Sequence, residues 1–409
     1  MRYLLLLCMV WPGISRAQTR TLNEYIQLAQ VNSPLLRGYE NQILSNRLDS
    51  LILKATLRPQ VNFLSNDLYA PTIAGFGYDP AITNVAQLSG LVQATKTFYS
   101  RDYILAQYRT IALQNQALRD TIQLSVRDLV RTITDQYITA YSDLLTMNYS
   151  RDLYTLLKQE EEAMRKMAQA SVIKQTEYPA FDITMQQQQL TYLQAQIQYN
   201  ADFLTLNFLS GLADTTVGVL VEPTFEDTLP HDFYGSVFYR RFITDSLRIT
   251  NQHQLVDYSY RPTFGTFADA GYNSSLQETP YRNFGLSFGV NIRVPIYDGH
   301  QKRLRHEQLN IEERTRQFNR NFFANQYNQQ VAQLNIQLHS TDQLFDQIRQ
   351  QVAYTKTLIT AYGKLLQTGD ARVTDLVTAI TGYLNAQNTY RQNLVSRLRV
   401  MNQINYWNH

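Results

Sequence analysis

Phe284-Gly285-Leu286-Ser287-Phe288-Gly289-Val290-Asn291-Ile292-Arg293-Val294-Pro295-Ile296 is the stretch on which the fold turns. Phe284, Leu286, Phe288, Val290, Ile292, Val294 and Ile296 alternate with Gly285, Ser287, Gly289, Asn291, Arg293 and Pro295. Successive side chains of a strand point to opposite faces, so one face is wholly apolar and the other small or polar. A strand of roughly 9–11 residues crosses a bilayer, and this run is long enough. A strand over a soluble core alternates in the same way, but Gly, Ser and Asn on the second face leave room for a water-filled lumen. Pro262–Asn273 repeats the pattern more weakly, with Phe264, Ala268 and Tyr272 on one face.

Outward from this strand the chain is written twice. Arg58-Pro59 opens one β-prone stretch and Arg261-Pro262 another. Residues 59–69 and 88–98 form the first expected strand pair, 262–273 and 283–296 the second. Residues 70–87 and 274–282 lie between the strands as loops. Each pair leads into a long, Gln-rich helical segment that breaks once and returns: 100–167 and 176–209, then 300–366 and 373–405. The halves are about 200 residues apart, which reads as an internal duplication. The expected division is a signal peptide over 1–17, a first repeat over 18–210 with an opening helix, a linker over 211–233 containing Pro223 and Pro230, and a second repeat over 234–409.

The helices carry a different period. Leu334, Leu338, Thr341, Phe345, Ile348, Val352, Thr355 and Ile359 are spaced 4-3-4-3-4-3-4. Leu376, Ile380, Tyr383, Gln387, Tyr390 and Leu394 follow the same spacing, and Val126, Val130, Ile133, Tyr137, Tyr141 and Leu144 nearly do. Such spacing is a coiled-coil seam. An uninterrupted helix over about 100–167 would be ~100 Å long at 1.5 Å per residue, too long for a compact domain, so it must pack against neighbouring rods. Faces outside the seam are polar too (Gln326, Asn328, Gln329, Gln330), as in a solvated coiled coil or in the wetted wall of a hollow tube.

Composition narrows the class. The 409 residues carry 37 Lys+Arg against 34 Asp+Glu, and a net charge of +3 is too small to mark a nucleic-acid binder. Charged residues make up only 17%, and Gln, Asn, Ser and Thr take their place. An apolar content of 44% excludes disorder. The longest apolar run is Leu4–Trp11, too short to span a bilayer. With Arg2 before it and Ser15-Arg16-Ala17 preceding Gln18, it has the form of a secretory signal peptide. The single cysteine, Cys8, lies inside that segment, so the mature chain would hold no thiol or disulfide, and Leu7 is a poor lipoprotein-box residue. Export, no spanning helix and an uncharged polar surface suit a β-barrel membrane protein and a plain secreted protein alike; the strand pairs favour the first.

Several motifs resemble the TolC-like outer-membrane efflux (channel-tunnel) family, in an order and spacing that cover nearly the whole mature chain. Leu22-Asn23-Glu24-Tyr25-Ile26-Gln27-Leu28-Ala29 with Asn32-Ser33-Pro34 is similar to that family's opening helix. Pro295-Ile296-Tyr297-Asp298-Gly299 resembles its strand-to-helix junction, and Gln367-Thr368-Gly369 with Val373-Thr374-Asp375-Leu376 its second helical tip. Leu384-Asn385-Ala386-Gln387 fits the helix that follows, and Leu206–Leu212 the end of the first return.

The resemblance implies a mixed fold, an all-α coiled-coil barrel plus a transmembrane β-barrel. Three protomers, each with two internal repeats and four strands, would close one 12-stranded barrel in the outer membrane. A long α-helical tunnel would continue it through the periplasm, with the linker at the tunnel's waist. Oligomerisation has independent support: four strands cannot close a barrel, and open edges in lipid leave unpaired backbone groups. Two chains would also satisfy that geometry; the number three comes from the resemblance. The implied function is a passive exit duct of a tripartite efflux pump or type I secretion system, with a periplasmic adaptor and an inner-membrane pump as partners. The alternative is a structural coiled-coil stalk or adhesin, against which the two strand pairs argue.

Candidate residues follow. Asp375 falls on a position of the family's ring of aspartates at the periplasmic aperture; the second such position is Thr378 here, a departure. Asp375 equally suits the first turn of a helix. Gly369 is placed to end the preceding helix in a left-handed conformation. Gln175, Thr176 and Glu177 begin the first return helix, with Pro179 in its first turn, and would offer an adaptor-docking tip. Pro295, Tyr297, Asp298 and Gly299 mark the swing from strand to helix. Tyr69, Tyr78, Tyr272 and Tyr281 suit an interfacial belt or loop packing. Met164 and Met167 are read as helix packing rather than soft-metal ligands, and Glu160-Glu161-Glu162 as a solvated face. The six His, at 231, 253, 300, 306, 339 and 409, are scattered, and no HExxH, CxxC, Walker A or GxSxG occurs. The expectation is a non-enzyme without cofactor or metal. A secreted carbohydrate-active enzyme would need paired carboxylates that the sequence does not offer.

Overall fold

Thr21 starts the first helix with a capping box: its Oγ1 accepts from Glu24 N–H at 3.4 Å, and Glu24 Oε2 accepts from Thr21 N–H at 3.0 Å. Helix α1 (Leu22–Asn32) ends at Ser33, and Pro34, which needs no N–H partner in a first turn, opens α2 (Pro34–Thr56). The opening helix expected from the sequence is therefore two helices. Strands β1 (Gln60–Ser65), β2 (Leu68–Tyr69) and β3 (Ala86–Phe98) follow, then α3 (Arg101–Gln169) and α4 (Glu177–Leu209). A 3₁₀ turn at Phe233–Gly235 precedes α5 (Val237–Ser259), β4 (Thr263–Ser274), a second 3₁₀ turn at Pro280–Arg282, β5 (Phe284–Arg293), α6 (Gln301–Thr368) and α7 (Val373–Asn408). This computed structural model describes residues 20–79, 86–225, 232–276 and 279–408. The expected signal peptide with Cys8, parts of both strand-connecting loops, and Pro230, His231 and His409 lie outside the described residues.

The strands form one antiparallel sheet in the order β1-β3-β4-β5, with β2 also on β3. The first strand, expected to run unbroken over 59–69, is interrupted at Asn66-Asp67. There the Asp67 carboxylate takes the Ser89 N–H at 3.3 Å, so a side chain replaces a main-chain rung. Strand β5 stops at Arg293 rather than Ile296. Its partner β4 begins at Thr263, paired with Arg293, and Pro262 has no N–H to extend the ladder.

The chain packs as two compact units. One comprises residues 37–79, 86–122, 238–276 and 279–323, the sheet and the helical segments flanking it; the other comprises 20–36, 123–225, 232–237 and 324–408. In the helical unit Tyr137 is fully buried. Its hydroxyl donates to Val221 O at 2.7 Å and accepts from Val221 N–H at 3.1 Å. Tyr199 OH donates to Gly218 O at 2.6 Å, and Tyr25 OH to Asn207 Oδ1 at 2.9 Å. Burial raises the Tyr137 hydroxyl to a pKa of about 12 and also raises those of Tyr199 and Tyr25. Tyr137 and Tyr199 thus stitch the segment after α4 onto helices, and Tyr25 ties α1 to α4. A second apolar cluster at the far ends of α3 and α6 joins Met164, Ile173, Phe181, Leu366, Val373, Leu376 and Ile380. Along α6 the seam Leu334 to Ile359 is buried or half-buried at every expected position. Phe345 meets Tyr390 of α7 at 5.1 Å between ring centroids.

Candidate functional site

Within the sheet unit, register fixes which residues share a face. Phe284, Leu286, Phe288, Val290 and Ile292 oppose Tyr272, Ala270, Ala268, Thr266 and Phe264, which oppose Gly90, Val92, Ala94, Lys96 and Phe98. Val61 and Phe63 of β1 complete this face. It is apolar and open: Phe288 is 83% exposed and Leu286 76%. A lone cation, Lys96, lies on it near the strand end, with its ammonium 5.9 Å over the Phe98 ring. The sequence reading missed it, although its strand parity gave the signal.

The other face carries Gln93, Asp269, Ser287 and Asn291, with Ser287 Oγ donating to Asp269 Oδ1 at 2.7 Å. It is not uniformly small, because Leu64, Leu91 and Phe267 also lie there. The Phe267 ring covers Gly289, where an added Cβ would come within 2.5 Å of its Cζ. Among the described residues β1 and β5 each pair on one side only, so both edges of the sheet are free in the single chain.

At the strand-to-helix junction Pro295, Tyr297, Asp298 and Gly299 sit between β5 and α6. The Asp298 carboxylate accepts from the N–H groups of His300 and Lys302, both at 2.9 Å, capping α6. The Lys302 N–H bond is the main cause holding its carboxyl below the ordinary carboxylate range. Gly299 and His300 both have left-handed φ, +62° and +64°. Tyr69, Tyr78 and Tyr281 are exposed, whereas Tyr272 packs edge-on against Phe284 at 5.2 Å.

In the helical unit, α3 and α6 end alike. Val172 N–H returns to Met167 O and Asp370 N–H to Leu365 O, both at 2.9 Å, around left-handed Ser171 (φ +56°) and Gly369 (φ +83°). Asp375 stands in the first turn of α7, its carboxylate accepting from Arg372 N–H at 3.0 Å. Thr378, one turn on and exposed, donates to Thr374 O at 2.8 Å. Gln175 and Thr176 are exposed and precede α4, which begins at Glu177 rather than at Gln175. Met164 is buried in the apolar cluster and Met167 packs against it. The Glu160–Glu162 run is not wholly solvated, because Glu161 accepts from Tyr178 OH at 2.8 Å and ties α3 to α4. Among the described residues no group of three or more His, Cys, Asp or Glu could hold a metal ion, and no helix is long and apolar enough to cross a membrane.

Two further features escaped the sequence reading. Asp143 has a buried Oδ2, and its carboxyl lies beside that of Asp202. Burial first, and then that neighbour, push the Asp143 carboxyl up to about 7 against the pull of Arg391. Burial opposes ionising Asp202, but hydrogen bonds from Asp143, Gln198 and Gln136 hold its carboxyl low. Secondly, Ile183, Leu190, Ile197 and Leu204 recur at seven-residue spacing on α4 and are all exposed, as are Leu304, Ile311 and Phe318 of α6 in the sheet unit. The constant spacing was legible; that no helix among the described residues covers these stripes was not.

No protein-family model matches the sequence, and no curated protein matches it. Solved structures match the fold over nearly its full length. A CusC structure, from work on folding and transmembrane channel formation, superposes with a TM-score of 0.74 at 11% identity, covering 95% of this chain and 92% of its own. The outer membrane protein VceC of Vibrio cholerae gives 0.72 at 12% identity, over 95% of this chain and 96% of its own. The MtrE outer membrane channel of Neisseria gonorrhoeae, in its open state, gives 0.73 at 12%, over 94% and 88%. The chain has the fold of these outer-membrane channels: mostly helical, with one small antiparallel sheet.

Proposed function

We propose that the protein is one subunit of an outer-membrane channel-tunnel, the passive exit duct of a tripartite efflux pump or type I secretion system. The observation that carries this reading is the sheet: an exposed apolar face, a polar face behind it and two free edges in one chain. Such a sheet is satisfied in lipid only when copies close it into a barrel. Three copies of four ribbons would give twelve strands, and the chain's two halves would be duplicated repeats, 18–210 and 234–409, behind a cleaved leader over 1–17. The uncovered heptad stripes on α4 and α6 support lateral packing of helices from neighbouring copies. Those helices would form the periplasmic tunnel.

On this reading the two helical tips face the periplasm. Asp375 would line the aperture while also capping α7; the hydrogen bond from Arg372 N–H gives its carboxylate a fixed direction, which suits a ring that favours cations. Gly369 sets the turn before it, and Thr378 takes the place of a second acidic ring. Gln175, Thr176 and Glu177 would meet an adaptor's own helical tip. The channel structures that share the fold support a conduit rather than a catalyst.

Fractionation and conductance test this. The protein should leave the outer membrane only with detergent and give stable ion conductance in planar bilayers. Asp375→Asn should lower cation preference without lowering the yield of assembled protein. Release by salt or alkali, with no conductance, would instead mark a peripheral stalk and overturn the proposal.

A further inference from the structure

Helices α5 and α6 flank the β4–β5 hairpin, one entering it and the other leaving. They run antiparallel in the sheet unit and, at their ends nearest the hairpin, meet in two polar rungs. In the first, His253 Nδ1 lies 2.7 Å from His306 Nδ1. In the second, Lys302 Nζ lies 2.9 Å from Asp257 Oδ1, which also sits 3.2 Å from His306 Nε2. The imidazoles are inclined by only 12°, with centroids 5.0 Å apart. Parallel rings stacked face to face cannot bring two ring nitrogens that close. The rings therefore lie edge to edge, nearly coplanar, with the nitrogens aimed at each other.

We infer that the His253–His306 contact is an acid-sensitive clasp across the base of the β4–β5 hairpin. An N···N contact this short requires one proton between the nitrogens. With His306 Nε2–H donating to Asp257, its Nδ1 accepts from His253 Nδ1–H while both rings are neutral. One added proton is tolerated: His306 then donates from both nitrogens, and His253 Nδ1 accepts. A second added proton puts an N–H on both facing nitrogens and two positive charges in contact, and the bond breaks. Imidazole is the side chain that gains its charge on mild acidification.

The charged groups around the two imidazoles offer a doubly protonated pair little compensation. Asp257 on α5 faces His306, but Lys302 on α6 already shares it. Arg305 of α6 lies over the Tyr260 ring at 6.0 Å. Helix α3 packs on α5 through Asn251, whose amide donates to Ala106 O and Thr110 Oγ1. It brings Asp102, which is 3.7 Å from Arg261 and is thereby engaged. Among the described residues no second carboxylate contacts either imidazole, so a doubly charged pair has one shared counter-ion.

The test compares the purified full chain with His306→Gln and His253→Gln, which keep a polar side chain but do not titrate. Between pH 8 and pH 5 the wild-type Tm should fall by about 2 °C or more beyond the fall in either variant. Spin labels at Ser259→Cys and Gln301→Cys, both exposed, should report a wider or broader distance at pH 5 in the chain with both histidines and no change in the His306→Gln background. Equal pH slopes in wild type and variants would overturn the inference, even if the variants melt lower, because the contact would then be only structural. A label distance that follows added Zn²⁺ at constant pH instead of acid would also overturn it and mark the pair as a metal site.

Discussion

Ser171 ends α3 in the left-handed region at φ +56°, where Gly369 does the same for α6 at φ +83°. A side chain there crowds its own carbonyl, and glycine does not. Ser171→Gly should therefore raise stability by about 1 kcal/mol and Gly369→Ala lower it by a similar amount, read as opposite shifts in denaturation midpoint. Asp143 makes a pH-dependent claim. Below the ordinary carboxylate range its proton is bound in both folded and unfolded chains. As pH rises to about 7 the unfolded chain ionises while the folded chain holds the proton beside Asp202, so stability falls across that window and the cost is complete above it. Asp143→Asn should raise Tm at pH 8 and leave it nearly unchanged near pH 4. Gly369 was legible in the sequence, but Ser171 and Asp143 were not. Ser171 looks like any loop serine until the chain path fixes its φ, and Asp143 and Asp202 stand on different helices, far apart in the chain.

The strand and the seam are the elements that the sequence announced. Alternation over Phe284–Ile296 identified β5 because a period of two survives any register. Its end at Arg293 was hidden, since that depends on where the partner strand loses its N–H at Pro262. The 4-3 spacing located the α6 seam because burial follows the helix period. The exposed stripe on α4 shows what one chain cannot reveal: its seven-residue spacing states that something covers it, not what. Two predictions belong here. Phe288→Lys, on the open apolar face, should cost roughly 2–4 kcal/mol in lipid and abolish heat-resistant assembly, whereas Ser287→Lys, on the polar face beside Asp269, should be tolerated. Ile197→Glu should leave the helical content of the single chain intact, because Ile197 is 69% exposed there, yet weaken association of copies. Circular dichroism and native electrophoresis separate the two effects.

At the scale of the whole molecule, the single chain is an incomplete object. Among the described residues its sheet has two free edges, its apolar face is open, and its long helices carry exposed apolar stripes. Each of these is costly in water or lipid, and closure by copies of the same chain removes all three together. The central claim is therefore the subunit count, and the most direct measurement is the native mass of the detergent-extracted protein, with detergent mass subtracted. The account predicts three mature chains, resistant to dissociation until the sample is boiled. A mass of one chain, soluble without detergent, would contradict it.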